Sequence, residues 1–280
     1  MGDKVTGAYR LLAVDLDGTV LGYNATATPR VRDALHRAAA SGVTVMIATG
    51  RMVASARLFW EELGLQPGPA ICYQGGAVVH FPESSAWWMD PLPDAGARRL
   101  VEAAVGEGFL CQVYVNDTLW VSREDERVRH YVRISHMTAT VKPLPALTDW
   151  PTPPVKLLIQ GTEDELVSLR ALLEPGAAED GIRLVKSQAD FLEVVPADVG
   201  KGSALARVAE RLGIPQSQVA AVGDGENDAD MLEWAGLGIA MGQGHPAALQ
   251  AADVVAPPVD RDGLADAIDA YILGGSKRPV

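Results

Sequence analysis

The sequence predicts an α/β fold, a doubly wound parallel sheet interrupted by an inserted α+β unit, and three observations carry that prediction. Short apolar runs alternate with helix-like stretches up to about Phe81 and again after Phe191, the rhythm of βα units. From about Pro82 the texture changes to mixed strand-like runs, tryptophans and a proline-rich connection. Polar sets rich in Gly and carboxylates follow several of the apolar runs directly, the arrangement of a ligand edge in a doubly wound sheet.

In chain order, Leu11 to Val14 reads as a buried strand that delivers Asp15 and Asp17, with Gly18 directly after them. Pro29 to Ala40 has helix composition, with Thr28 as the cap and Pro29 in the tolerated first turn. Val43 to Ala48 is β-branched and uncharged, and leads into Thr49-Gly50-Arg51 before a helix at Val53 to Leu63. Ala70 to Tyr73 gives a third strand, followed by a Gln74-Gly75-Gly76 turn and apolar Ala77 to Phe81. The inserted unit is placed at 83 to 190. Within it, strands are read at Leu110 to Val115, Leu119 to Ser122, Val155 to Gln160 and Ile182 to Lys186, and helices at Glu124 to Ile134 and Glu163 to Leu173. Trp87, Trp88 and Trp120 are read as core or cap packing in preference to an aromatic wall for substrate. The prolines at 143, 145, 151, 153 and 154 mark a surface connection.

The core domain, 1 to 82 and 191 to 280, resumes with an apolar run at Phe191 to Val195 and a helix at Lys201 to Leu212. A strand at Val219 to Val222 runs into the acidic loop Gly223 to Asp228 and a helix at Ala229 to Ala235. Short strands at Leu237 to Met241 and Val254 to Ala256 and a closing helix at Gly263 to Tyr271 complete the reading.

A formal charge of -12 gives an acidic surface that disfavours a nucleic-acid backbone as partner. A few local cations in a cleft still admit a small anionic substrate. Cys72 and Cys111 are too few for a disulfide framework or a cysteine metal site. The opening MGDKVTGAYR lacks the apolar core of a signal peptide, and no apolar run reaches the roughly 20 residues that span a bilayer. The expectation is a cytosolic protein with no membrane partner. The loose acylation match at Met1, Gly2 and Thr6 and the glycosylation matches at Asn24 and Asn116 lack the context they need. Oligomeric state has no signal in the sequence.

Four polar sets follow strands or open helices: Asp15/Asp17, Thr49/Gly50/Arg51, Gly200/Lys201/Gly202 and Gly223 to Asp228. Strand carboxyl ends share one edge of a doubly wound sheet, so the sets can meet. Oxygen ligands without a histidine cluster favour a hard cation such as Mg²⁺ bound jointly with substrate phosphate. A phosphate dianion and an aspartate repel, and Lys201 with Mg²⁺ can offset that repulsion. Asp15 is the candidate nucleophile and Asp17 the candidate acid and base. Thr49, with nearby backbone amides, is placed on the phosphoryl oxygens, and Asp224 and Asp228 on the metal.

These motifs, DLDGT at 15 to 19, ATGR at 48 to 51, GKGSAL at 200 to 205 and GDGENDADML at 223 to 232, resemble the haloacid dehalogenase (HAD) superfamily of phosphatases. FLEVVP at 191 to 196, GLGIAMG at 236 to 242 and an insertion between the second and third motifs resemble its Cof-like branch, type IIB, with an α+β cap. The resemblance implies a phosphomonoester hydrolase working through an aspartyl-phosphate, with a small phosphorylated metabolite, a sugar phosphate first, as substrate. It implies Asp15, Asp224 and the Asp17 backbone carbonyl as Mg²⁺ ligands with Asp228 in support, and Thr49, Gly50, Lys201 and Asn227 on phosphate. Gln74-Gly75-Gly76 stands where the branch shows Asn-Gly-Ala, so the role of that asparagine does not transfer. A phosphomutase of the same fold and a non-catalytic phosphate-binding module are the alternatives.

Overall fold

The computed structural model describes residues 9–274, so the acylation match at Met1, Gly2 and Thr6 lies outside the described residues. The chain first lays down β1 (Leu11–Val14), α1 (Pro29–Ala40), β2 (Thr44–Ala48), α2 (Val53–Leu63), β3 (Gly68–Cys72), β4 (Ala77–Phe81) and β5 (Ser85–Met89). It then forms α3 (Asp94–Gly106), β6 (Leu110–Val115), β7 (Thr118–Val121), α4 (Glu126–Ser135), β8 (Ala139–Val141), β9 (Lys156–Gln160), α5 (Glu163–Glu179), β10 (Ile182–Gln188) and β11 (Phe191–Pro196). It closes with α6 (Lys201–Leu212), β12 (Val219–Gly223), α7 (Ala229–Trp234), β13 (Leu237–Met241), α8 (Pro246–Ala251), β14 (Val254–Ala256) and α9 (Gly263–Ala267).

Two sheets result, an eight-stranded one in the order β14-β13-β12-β1-β2-β3-β4-β5 and a six-stranded one in the order β10-β11-β9-β6-β7-β8. In the first, β14 through β3 run parallel, and β4 and β5 add an antiparallel edge. The chain winds outward from β1 through β2 to β3, then returns to the other side of β1 as β12, β13 and β14. That reversal between β1 and β12 opens a crevice at their carboxyl ends. The fold is therefore the doubly wound core with an inserted α+β cap.

The sheets divide the chain differently from the expected junctions. Ser85–Met89 pairs with β4 in the large sheet, so the core runs past residue 82. Phe191–Pro196 pairs with β9 and β10 in the small sheet, so the cap runs past residue 190. Trp87 and Trp88 accordingly sit on the core edge strand, where Arg211 and Arg207 of α6 stack on their rings at 4.5 and 4.3 Å. Helix α5 also outruns its expected end at Leu173, continuing through Pro175 to Glu179. Among the described residues no helix is long and apolar enough to cross a membrane, and both cysteines are free and buried.

The apolar core is shared between the two layers. Phe59 and Tyr73 of the core and Tyr114, Leu119, Tyr131, Leu158 and Phe191 of the cap belong to one buried cluster. Tyr73 meets Tyr114 edge-on, with ring centroids 5.8 Å apart. Polar contacts pin the same interface. Asp117, at the tip of the β6–β7 hairpin, accepts from Tyr73 Oη at 2.6 Å and from the Ala54 amide near the start of α2 at 3.0 Å. The cap is thus seated on the carboxyl edge of the core sheet, over the crevice.

Candidate active site

Strand β1 ends by placing Asp15, 5% exposed, at the floor of a cavity of about 540 Å³. The chain then turns through Gly18 at φ +90°, a left-handed conformation that a side chain adopts only under strain. A Cβ there would also stand 2.2 Å from Asp224 Oδ2. The glycine is what lets the turn after β1 approach the loop after β12.

Carboxylate oxygens of Asp15, Asp224 and Asp228 lie within 4.8 Å of one another. Lys201, the first residue of α6, reaches across the crevice with Nζ 2.7 Å from Asp15 Oδ1 and 2.6 Å from Asp228 Oδ1. The other oxygen of Asp228 accepts the amides of Asp224 and Gly225 at 2.9 and 2.8 Å, which fixes the acidic loop on itself. Gln243, in the turn after β13, donates to the Gly18 carbonyl at 2.7 Å and approaches Asp224 Oδ2 at 3.4 Å.

The electrostatics follow from this packing. Burial raises the Asp15 carboxyl well above its usual range, Lys201 opposes the shift, and Asp228, Asp224 and Asp17 add to it. Burial and the Asp228 charge push Asp224 up to about 7. Burial alone would lower Lys201, but the carboxylates of Asp15 and Asp228 reverse the sign and keep its ammonium charged. Three carboxyl groups converge on one ammonium, so ionising the cluster builds up negative charge that a cation would offset, and its remaining donors are oxygens. That donor set suits a hard divalent cation such as Mg²⁺.

The remaining predicted residues are placed as follows. Asp17 turns its carboxylate away from the cluster into Arg51, whose Nη2 and Nε lie 2.7 and 2.8 Å from its two oxygens. Thr49 is fully buried at the end of β2, where its hydroxyl accepts the Arg51 amide at 3.1 Å. It stands behind the cavity lining, whereas Gly50 and Asn227 line it. Asn227 donates to Gln74 Oε1 at 2.9 Å. The cap contributes His130, Tyr131, Ser135, Lys156, Phe191 and Glu193 to the same cavity.

Several of these residues carry an ambiguous signal in the sequence, or none. Arg51 reads in sequence as a solvated cation, yet it is 8% exposed, forked onto Asp17 and stacked 4.3 Å over the Phe59 ring. Glu193 reads equally well as a solvated strand residue, yet it is 3% exposed. Lys186 on β10 pairs with Glu163 on α5. Lys156 and Gln243 carry no sequence signal at all. Both strands are buried on successive positions, β9 throughout and β11 up to Val195, so alternation singles out neither Lys156 nor Glu193.

A family model described as haloacid dehalogenase-like hydrolase matches residues 12–268. The chain is 28% identical over 284 residues to the putative phosphatase YxeH of Bacillus subtilis, covering 95% of this chain and 99% of that one. It is 28% identical over 273 residues to the pyridoxal phosphate phosphatase YbhA of Escherichia coli, covering 94% and 99%. A crystal structure of a haloacid dehalogenase-like hydrolase from Bacteroides thetaiotaomicron superposes with a TM-score of 0.83 at 28% identity, covering 94% of this chain and 99% of that one.

Proposed function

The chain belongs to the haloacid dehalogenase-like hydrolases, and from that premise we propose that it is a cytosolic, Mg²⁺-dependent phosphomonoester hydrolase acting on a small phosphorylated metabolite. The observation that carries the reading is Asp15 on the cavity floor, with Lys201 at 2.7 Å and two further carboxylates beside it.

In this reading a carboxylate oxygen of Asp15 attacks phosphorus, and the bond to the leaving oxygen breaks as the aspartyl-phosphate forms. Asp17 gives the leaving oxygen its proton, then takes a proton from the water that hydrolyses the aspartyl-phosphate. Both Asp17 oxygens are held by Arg51, so reaching the leaving oxygen requires the carboxylate to give up at least one of those contacts. Lys201 neutralises charge between Asp15 and the arriving phosphate. Gly50 and Asn227 hold phosphoryl oxygens, with Thr49 supporting the turn that presents Gly50. Asp15, Asp224 and the Asp17 backbone carbonyl would hold Mg²⁺ with Asp228 in support, and the bound ion supplies the positive charge that lets two anions approach. The cap excludes water and selects the leaving group.

The test is phosphate release from p-nitrophenyl phosphate and from a metabolite panel, with Mg²⁺ or with a chelator. The panel is led by sugar phosphates and includes pyridoxal phosphate, the compound after which the relative YbhA is named. Mg²⁺-dependent release is expected. No turnover across the panel would favour a phosphate-binding module, and transfer to a second hydroxyl with little free phosphate would favour a mutase.

A further inference from the structure

The cavity holds a second charged pair that the proposed chemistry does not use. Lys156 on β9 and Glu193 on β11 are 2% and 3% exposed, and Lys156 Nζ lies 2.7 Å from Glu193 Oε2. A buried ion pair repays its desolvation only when its remaining hydrogen-bonding positions are also filled. Here two are filled from the opposite layer. Lys156 Nζ donates to the backbone carbonyl of Gly50 at 2.7 Å, and Gln74 Nε2 donates to Glu193 Oε1 at 2.9 Å. Ser187 of the cap donates to the same Glu193 oxygen at 2.6 Å. Gln74 then uses its own Oε1 to accept from Asn227.

The pair therefore grips two core loops from the cap sheet, the turn after β2 directly and the loop after β12 through Gln74. Gln74 is built for this position. It is buried with φ +58°, and a Cβ on Gly50 would come within 2.4 Å of its Nε2. Its amide spans from Glu193 to Asn227, offering a nitrogen to one and an oxygen to the other.

We propose that Lys156, Glu193 and Gln74 form a latch through which seating of the cap fixes the Gly50 turn and Asn227 for phosphate binding. They are positioning residues, acting through Gly50 and Asn227. The inference rests on the reading of those two residues as phosphate-holding. It predicts an effect on the phosphate end of every substrate, whereas a contact to the leaving group would discriminate among substrates.

The experiment compares the parent with Lys156→Met, Glu193→Gln and the double variant. It measures kcat/KM for two monoesters with unlike leaving groups, p-nitrophenyl phosphate and glycerol phosphate, and binding of inorganic phosphate by calorimetry. Lys156→Met is expected to lower kcat/KM about 10- to 100-fold by the same factor for both esters and to weaken phosphate binding in parallel. The double variant is expected to recover part of that loss, because Lys156→Met alone strands a buried carboxylate. Glu193→Gln, nearly isosteric, serves if Lys156→Met does not fold. Losses that differ tenfold between the esters, or phosphate binding unchanged in a folded variant, overturn the latch. A parent that binds phosphate but hydrolyses neither ester defeats the hydrolase reading alone, and the binding series still decides the latch. A parent that binds no phosphate overturns both.

Discussion

Replacing Asp15 with Asn separates chemistry from stability, because the same carboxylate is both the proposed nucleophile and a crowded buried charge. Its Oδ1 is 2.7 Å from Lys201 Nζ, an attraction of ~6 kcal/mol at an effective dielectric of about 20. Against it stand Asp224 and Asp228, with oxygens within 4.8 Å, each contributing a repulsion of at least ~3.5 kcal/mol on the same scale. The repulsion therefore at least matches the attraction. The substitution also removes the cost of burying a charge, and Lys201 keeps its 2.6 Å contact with Asp228. Without Mg²⁺, the Asp15→Asn protein should therefore melt no lower than the parent, and as much as about 5 °C higher. Activity should nonetheless fall at least about 1,000-fold, since no other group can take the attacking role. The assays are phosphate release from an aryl phosphate and thermal unfolding with chelator or Mg²⁺. Release within tenfold of the parent, after contaminating phosphatases are excluded, would refute the nucleophile assignment. A drop in Tm above about 5 °C would refute the charge balance.

Lys201→Met leaves Asp15 and Asp228 buried without their cation, so a loss of about 3–5 kcal/mol is expected, and millimolar Mg²⁺ should restore part of the lost Tm if the carboxylates form a cation site. Gly18→Ala forces a side chain onto φ +90° and into Asp224; a strain of roughly 1–3 kcal/mol should accompany loss of both activity and the Mg²⁺-induced rise in Tm, and a fully active variant would show that the turn after β1 can relax. Arg51→Lys keeps the charge but loses the fork on Asp17 and the stacking on Phe59. Alkyl phosphates, whose leaving oxygen needs a proton, should then lose about 10-fold more activity than p-nitrophenyl phosphate, and equal losses would dissociate Arg51 from proton transfer.

What the sequence reveals follows from the range over which its signals act. The apolar run at Leu11 to Val14, the paired aspartates and Gly18 are neighbours in the chain, so strand, turn and carboxylates are legible together. The same holds for Gly223 to Asp228, and the order of the βα units brings the two loops to one crevice. The domain junctions are less legible because they depend on pairing partners. Phe191–Pro196 leads straight into the Lys201 motif, yet it pairs with β9 and β10. Ser85–Met89 follows the change in texture, yet it closes the edge of the core sheet. Composition changes where loops permit it, whereas sheet membership is decided by which hydrogen-bonding edge lies within reach.

The residues whose contacts escape the sequence share one property: each gets its environment from a distant segment. Lys156 follows a proline-rich connection and carries no signal of its own until Glu193 and the Gly50 carbonyl enclose it. Gln74 reads as a turn residue until Glu193 and Asn227 take the two ends of its amide. Arg51 lies within a legible motif, yet its partner Asp17 is 34 residues away. The contacts of Lys156 with Gly50 and of Gln74 with Glu193 arise only when the cap closes on the core, which is also when the cavity acquires its shape. Local motifs can thus specify the reacting atoms before the chain is folded. The contacts that join the cap to the Gly50 turn and to Gln74 exist only in the assembled interface, so under the proposed latch substitutions at Lys156 or Gln74 should alter catalysis while leaving every catalytic sequence motif intact.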